Sequence, residues 1–360
     1  MTALTAVDDV RDLVTLERIS EVRPIPGADA IEQAIVKGWS IVIKKGEFGV
    51  GDAVVYFEVD SMLPLDDDRF AFLAPRGTKT VDGRDYHRLK TARLRGVYSQ
   101  GLVIGLDQFP EILDVLLPTD EHGSMLTLVD EPKPDLAALL GVFKYEPPMP
   151  DNLSFIGEFP THIVSKTDSE RAQNLANDWD KILAAGPWDA TEKVDGTSAT
   201  FIIDADGSRR IAGRNWEIDP TAQNVYTRAA ALSGIYDQME PGDVVQAEIV
   251  GPGVQKNGLD LPDLTVVVFT IKRDGRLLPR DEWFIEQSDR LRVANLYLTI
   301  EPLATAEQTI NAIDGIKSLI NPKRLAEGVV FHHREGREFD FLGYRSTFKV
   351  ISNKWLLKNE

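Results

Sequence analysis

The sequence predicts an α+β protein of two domains: a small closed or partly closed β-barrel, then a mixed, mainly antiparallel α+β domain. Short alternating apolar runs broken by Gly and Pro fill the first part. A proline cluster, "YEPPMPDN" from Tyr145, interrupts the chain, and strand runs alternate with helical periodicity after it. The expected domains are therefore 1–150 and 151–360.

In the first domain the expected strands lie in "LVTLERISEVRPI", "IEQAIVKGW", "SIVIKKGEF", "DAVVYFEVD" and "RLKTARLRGVYSQGLVIGL". Gly49 and Gly51 allow a tight turn before the fourth run. The acidic and basic stretch before the last run reads as irregular. Residues 110–150, rich in Pro, Asp and Leu, read as a short helix with a linker.

The second domain opens on "KTDSERAQNLANDWDKILAAGP", where Thr167 and Glu170 have capping-box spacing. Ala172, Leu175, Ala176, Trp179, Ile182 and Leu183 repeat on one face, so a helix is expected up to Gly186-Pro187. Strands follow in "WDATEKV", "SATFIID" and "RRIAGRN", then a helix in "AQNVYTRAAALSGIY". The last expected strands are "DVVQAEIVG", "LTVVVFTIKR", "LAEGVVFHH" and "STFKVISNKWLL".

With 43% hydrophobic residues, 360 residues can fill two cores. The absence of cysteine excludes disulfides, thiolate-bound metals and thiol catalysis, so any metal must use oxygen or the few histidines. His162, His332 and His333 lack metal-ligand spacing and read as structural. "MTALTAVDDVRDL" has no basic leader or apolar core of signal length, and no run approaches a membrane span, so a cytoplasmic protein with no membrane partner is expected. A formal charge of −17 argues against a uniformly basic coat for nucleic acid. Arg76–Arg95 and Lys317–Lys358 are nevertheless rich in cations, as solvated faces or as binding surfaces.

Two Lys-x-Asp-Gly stretches stand out: "TEKVDGTSATF" around Lys193 and "IKRDGR" around Lys272. A lysine fixed beside a tight turn can become a nucleophile, yet Asp-Gly is also an ordinary hairpin signal. Lys272 fits the hairpin account. Lys193 differs in the residues downstream of it: Arg214 in "AGRNWEI", Glu248 in "VVQAEIVG", Phe269 in "VVVFTI", Glu327 in "AEGVVFHH", and Lys349 and Lys354 in "FKVISNKWLLK". Glutamates on apolar strands need charged partners or a metal. Converging lysines suit an anion, so the set fits phosphoryl chemistry.

This succession resembles the covalent nucleotidyltransferases, which include ATP-dependent DNA ligases, RNA ligases and mRNA capping enzymes. "EKVDGTS" looks like motif I, "GRNWEI" like motif Ia, "AEIVGP" like motif III, "FTI" like motif IIIa, "AEGVV" like motif IV and "FKV" like motif V. Motif V usually reads Lys-x-Lys; here Ile351 takes the second position. The chain ends eleven residues past Lys349, so no OB-fold is expected after motif V. The barrel stands in front instead and resembles the OB-fold modules that recognise tRNA. That order looks like the Deinococcus-type RNA ligases, which join an RNA 3′-OH to a 5′-phosphate, with sealing at nicks in duplexes as the implied activity.

The resemblance implies ATP as donor and a lysyl-AMP on Lys193. It implies Lys349 at the α-phosphate, Arg214 at the ribose or a phosphate, and Phe269 stacked on adenine. Glu192 would help to read adenine, and Lys354 and Lys166 would serve the nucleotide; Arg171 is a further candidate for nucleotide or RNA. Glu327 would bind Mg2+ or Mn2+, and Glu248 the ribose or the metal through a bound water, since hard ions favour carboxylates. The expected partner is RNA or an RNA-containing nicked duplex. A DNA ligase, another adenylyltransferase and a non-catalytic RNA-binding protein remain alternatives from sequence.

Overall fold

The computed structural model describes residues 12–116, 134–146, 154–166 and 168–359. The chain divides into two compact units, whose described parts lie within 12–146 and 357–359 in the first and within 154–356 in the second. The expected boundary at 150 lies outside the described residues, as does Thr167.

In the first unit the strand Ala53–Phe57 pairs antiparallel with Val14–Arg18 on one side and Leu102–Gly105 on the other. Glu21–Pro24, Ile31–Val36 and Trp39–Lys44 form a second antiparallel sheet. Alternation sends Val54 and Tyr56 into a core with Ala34, Val36, Trp39 and Ile41. Val55 and Phe57 point the other way, into a core with Leu63, Phe70, Phe109 and Ile112. A strand buried on both faces explains the unbroken apolar run "AVVYF".

The stretch expected to be irregular contains a hairpin, Lys79–Val81 with Arg84–Arg88, which extends a sheet through Ser61–Pro64 to Phe143–Lys144. Asp82 and Gly83 both have positive φ, 51° and 80°, as a two-residue turn of this kind requires. Only Tyr86 of "RDYHR" is buried, so charged side chains hid the period of two. The expected short helix forms at Pro110–Leu116, and part of the linker lies outside the described residues.

The second unit holds two sheets. The larger runs Phe155–Glu158, Trp216–Ile218, Arg209–Ala212, Thr197–Ile203, Asp243–Val250, Thr265–Arg273 and Arg276–Leu277, with Leu291–Val293 parallel to Thr265–Arg273. The helix Val225–Ser233 starts in a capping box between Asn224 and Thr227 and ends at left-handed Gly234. It buries Tyr226, Ala229 and Ala230 against Phe201, Val245 and Val266 of the larger sheet. The smaller sheet runs Glu170–Arg171, Thr347–Ile351, Gly328–His333 and Trp188–Lys193. All pairings are antiparallel except those of Leu291–Val293 and Glu170–Arg171.

The helix expected from Thr167 is shorter. Glu170–Arg171 is a strand beside Phe348 and Lys349, a 3-10 turn spans Ala176–Asp178, and the helix occupies Trp179–Ala185. The backbone of this stretch is spent on sheet pairing: Ala172 N donates to Lys349 O at 2.9 Å. The Glu170 side chain accepts from Arg171 N and Asn174 Nδ2. Ala172, Leu175, Trp179 and Ile182 are still buried together, while Leu183 is exposed. Among the described residues no helix is long and apolar enough to cross a membrane.

Candidate active site

Lys193 is the last residue of the strand Trp188–Lys193 and faces Gly328, the first residue of its antiparallel neighbour. Glu327 therefore sits at the same end, and Lys193 Nζ donates to Glu327 Oε2 at 2.8 Å. Gly328 has no room for a side chain: a Cβ would lie 2.1 Å from Val350 O. A glycine here lets the strands close up and brings Glu327 to the lysine.

Side-chain alternation sorts the smaller sheet into two faces. Trp188, Ala190, Val329, Phe331, Phe348 and Val350 form its apolar core. Lys193, Thr191, Val330, His332 and Lys349 lie on the other face, since Lys349 is registered with Val330 and Thr191 with Val330. Arg171 is registered with Lys349 and joins that face. From sequence Arg171 is only a further candidate; its register with Lys349 is visible only in the sheet.

After Lys193 the chain crosses from the smaller sheet to the larger one through Val194, Asp195 and Gly196. A Cβ on Gly196 would lie 2.2 Å from Ile249 O and 2.7 Å from Val250 Cγ1. The glycine is required by close approach to the Glu248 strand, where Glu248 opposes Ser198. The Lys272 stretch is different. Asp274 and Gly275 have φ of 51° and 78°, and Lys272 faces Leu277 across a tight hairpin, as expected from sequence.

Three carboxylates act on the lysine. Burial alone would depress its pKa, but Glu327, Glu248 and Asp195 outweigh burial and raise it. Burial pushes the Glu248 carboxyl up to about 8; Lys193 opposes this, and Glu327 and Asp195 add to it. Asp195 is pushed up to about 6 by burial and by Glu327, against Lys193 and Lys256. Sequence alone does not single out Asp195, although it stands in the Lys-x-Asp-Gly signature itself.

Glu192 points to the opposite face from Lys193 and is 3% exposed. Its Oε2 accepts from Leu319 N at 2.8 Å and its Oε1 is buried with no hydrogen-bond partner, while burial raises its pKa. Phe269 is the extra residue of a β-bulge, because Gln246 opposes Thr270 while Ala247 opposes Val268. It packs, half-buried, on the cluster containing Val194, Val250 and Val267. The Arg214 guanidinium lies 2.6 Å from Asp168 Oδ2, and Lys166 Nζ donates to Asn215 Oδ1 at 3.2 Å, so these two cations share one neighbourhood.

Lys354 meets Asp314: its Nζ donates to Asp314 O at 3.3 Å, and its own N–H to Asp314 Oδ1 at 2.8 Å. His332 accompanies Thr191 at 3.0 Å, and burial takes its pKa down to about 4, so it is neutral. His333 Nε2 meets Ala185 O. Among the described residues no three His, Cys, Asp or Glu side chains stand in a metal-ligating group.

A family model described as OB-fold domain matches residues 13–106, and one described as RNA ligase matches residues 186–351. No curated protein matches. A Naegleria gruberi RNA ligase variant with AMP and Mn superposes with a TM-score of 0.78 at 34% identity, covering 97% of this chain and 99% of that one. The same ligase with pyrophosphate gives 0.78, 34%, 97% and 99%. A further variant with ATP and Mn gives 0.77 at 34% identity, over 96% and 98% of the two chains. At that identity over nearly the whole of both chains, with the OB-fold in front and the ligase domain behind, the chain belongs to the RNA ligase family.

Proposed function

We propose that the protein seals RNA 3′-OH and 5′-phosphate ends at nicks in duplexes, through an adenylate carried on Lys193, in the manner of the Deinococcus-type RNA ligases. The observation that carries this reading is the Lys193 amine, 2.8 Å from Glu327 and within the fields of Glu248 and Asp195. Three transfers make up the reaction. The Lys193 nitrogen bonds to the α-phosphorus of ATP as the bond to the bridging oxygen breaks and pyrophosphate leaves. The adenylate passes to a 5′-phosphate, releasing the lysine, and the 3′-OH then displaces AMP. Each transfer needs an in-line attacker and balanced charge.

Lys193 must lose its proton before it can attack, and in the protein alone its carboxylate neighbours hold that proton on. Oxygen donors with excess negative charge fit a hard divalent cation, Mg2+ or Mn2+, which commonly takes one or two carboxylates and keeps several waters. Glu248 and Glu327 would hold it; when bound it supplies positive charge that favours the neutral amine. Lys349 and Arg171, on the face that carries Lys193, would receive phosphate oxygens. Arg214 and Lys166 would hold the ribose or a phosphate. Phe269 would stack on the base. The AMP, ATP and Mn of the Naegleria structures support ATP and a divalent cation here.

The test is a panel of nicked duplexes differing only in the sugar at the two nick ends. Sealing that requires a ribose at the 3′-OH side is expected. Self-adenylylation without joining of any nick would sink the nick assignment, and no self-adenylylation would sink the whole reading.

A further inference from the structure

We propose that the hairpin Ala92–Leu94 and Val97–Ser99 of the first unit is a contact surface for the phosphodiester backbone of RNA; this rests on the RNA-sealing reading above and adds where the strand is held. In a chain of net charge −17, the stretch from Tyr86 to Leu106 contains no Asp or Glu, while it carries Arg88, Lys90, Arg93 and Arg95. The hairpin turns at Arg95 and Gly96, with φ of 49° and 88°. Arg95 is therefore carried at its tip.

Arg93 and Tyr98 face each other across the two strands, so they project from the same face. The Arg93 guanidinium carbon lies 5.4 Å from the centre of the Tyr98 ring, and Arg93 Nε donates to Gly96 O at 3.2 Å. These contacts fix the guanidinium without neutralising it. The hairpin is also anchored: Ser40 Oγ donates to Tyr98 O at 2.6 Å, and Val42 N donates to Ser99 Oγ at 3.0 Å.

Three other arginines of this unit are held by carboxylates. Arg69 meets Asp67 and Glu111, Arg84 meets Asp66, and Arg88 meets Asp60. Arg93 and Arg95 are exposed, and among the described residues no carboxylate pairs with either. A fixed guanidinium at Arg93 and a second one carried at the tip by Arg95, neither paired with an internal anion, suit the phosphates of a nucleic-acid backbone. Such contacts position a strand and carry no sequence preference.

The experiment uses the full chain and a fluorescent nicked RNA duplex, with affinity measured across salt concentrations and self-adenylylation measured in parallel. Replacing both arginines, Arg93→Gln with Arg95→Gln, is expected to weaken binding by about tenfold or more at low salt and to lower the salt slope by about two. Arg93→Glu with Arg95→Glu is expected to weaken it further. Self-adenylylation stays at the unsubstituted level in both, which separates this proposal from the sealing reading. Arg84→Gln, at an arginine already held by Asp66, is expected to bind normally. Unchanged affinity and slope in the double variants, an equal loss in Arg84→Gln, or a parallel loss of self-adenylylation would each overturn the hairpin's role.

Discussion

Lys193 and Glu327 meet at 2.8 Å because the register that pairs Lys193 with Gly328 brings the preceding glutamate to the amine. The contact holds the lysine as an ammonium. Glu327→Gln is expected to lower the Lys193 pKa, since it removes the largest of the charges that raise it. In lysine-selective chemical labelling of the protein without metal, Lys193 of this variant should react at lower pH than in the unsubstituted protein. An unchanged profile would show that Glu327 does not control the amine.

Glu248 gives a stability prediction with a definite sign. Its folded pKa of about 8 lies above the usual carboxylate value of 4.5, so between these pH values the folded state binds the extra proton. Stability from this group is therefore fully present below pH 4.5 and is lost as pH rises towards 8. Glu248→Gln should raise the metal-free melting temperature at pH 8 and leave it nearly unchanged at pH 4.5. A gain of equal size at both pH values would contradict the assignment.

Two glycines separate site geometry from turn geometry. Gly196→Ala places a Cβ 2.2 Å from Ile249 O, so the Lys193 loop must move. Self-adenylylation is expected to fall on the order of a hundredfold, the scale of an ångström-sized misplacement. Gly275→Ala meets open space at a φ of 78°, so it should cost about 1 kcal/mol of stability and leave labelling intact. Equal activity losses in the two variants would remove the distinction between the motifs.

Tyr226 links the start of the strand Thr197–Ile203 to Gly213, the residue before Arg214. Its hydroxyl meets Thr197 Oγ1 at 2.9 Å, and a Cβ on Gly213 would lie 2.8 Å from it. Tyr226→Phe should lose about 1 kcal/mol of stability and raise the KM for ATP more than it lowers kcat. A change confined to stability would make Tyr226 a core residue only.

Much of this site is legible from the chain because strands expose their period. "WDATEK" and "GVVFHH" read as strands, and Lys193, Glu248 and Glu327 fall in or beside strands that converge on one site. The helix expected from Thr167 starts later because Ala172, Leu175 and Trp179 are buried at helical spacing while their backbone partly pairs with Lys349. Sequence periodicity reports burial; it does not report which backbone partner takes the hydrogen bonds. Arg171 and Asp195 gain their places from register and mutual charge, which no window of sequence contains. Lys354 illustrates the converse, since its motif position is legible but its contact with Asp314 is not.

The most direct test is to incubate the protein with ATP labelled on the α-phosphate and Mg2+ or Mn2+, digest it, and map the labelled peptide. The account predicts an acid-labile, lysine-linked adenylate on Lys193, absent from Lys193→Ala and retained by Lys272→Ala. No adduct, or an adduct on Lys272 or Lys349, would contradict it.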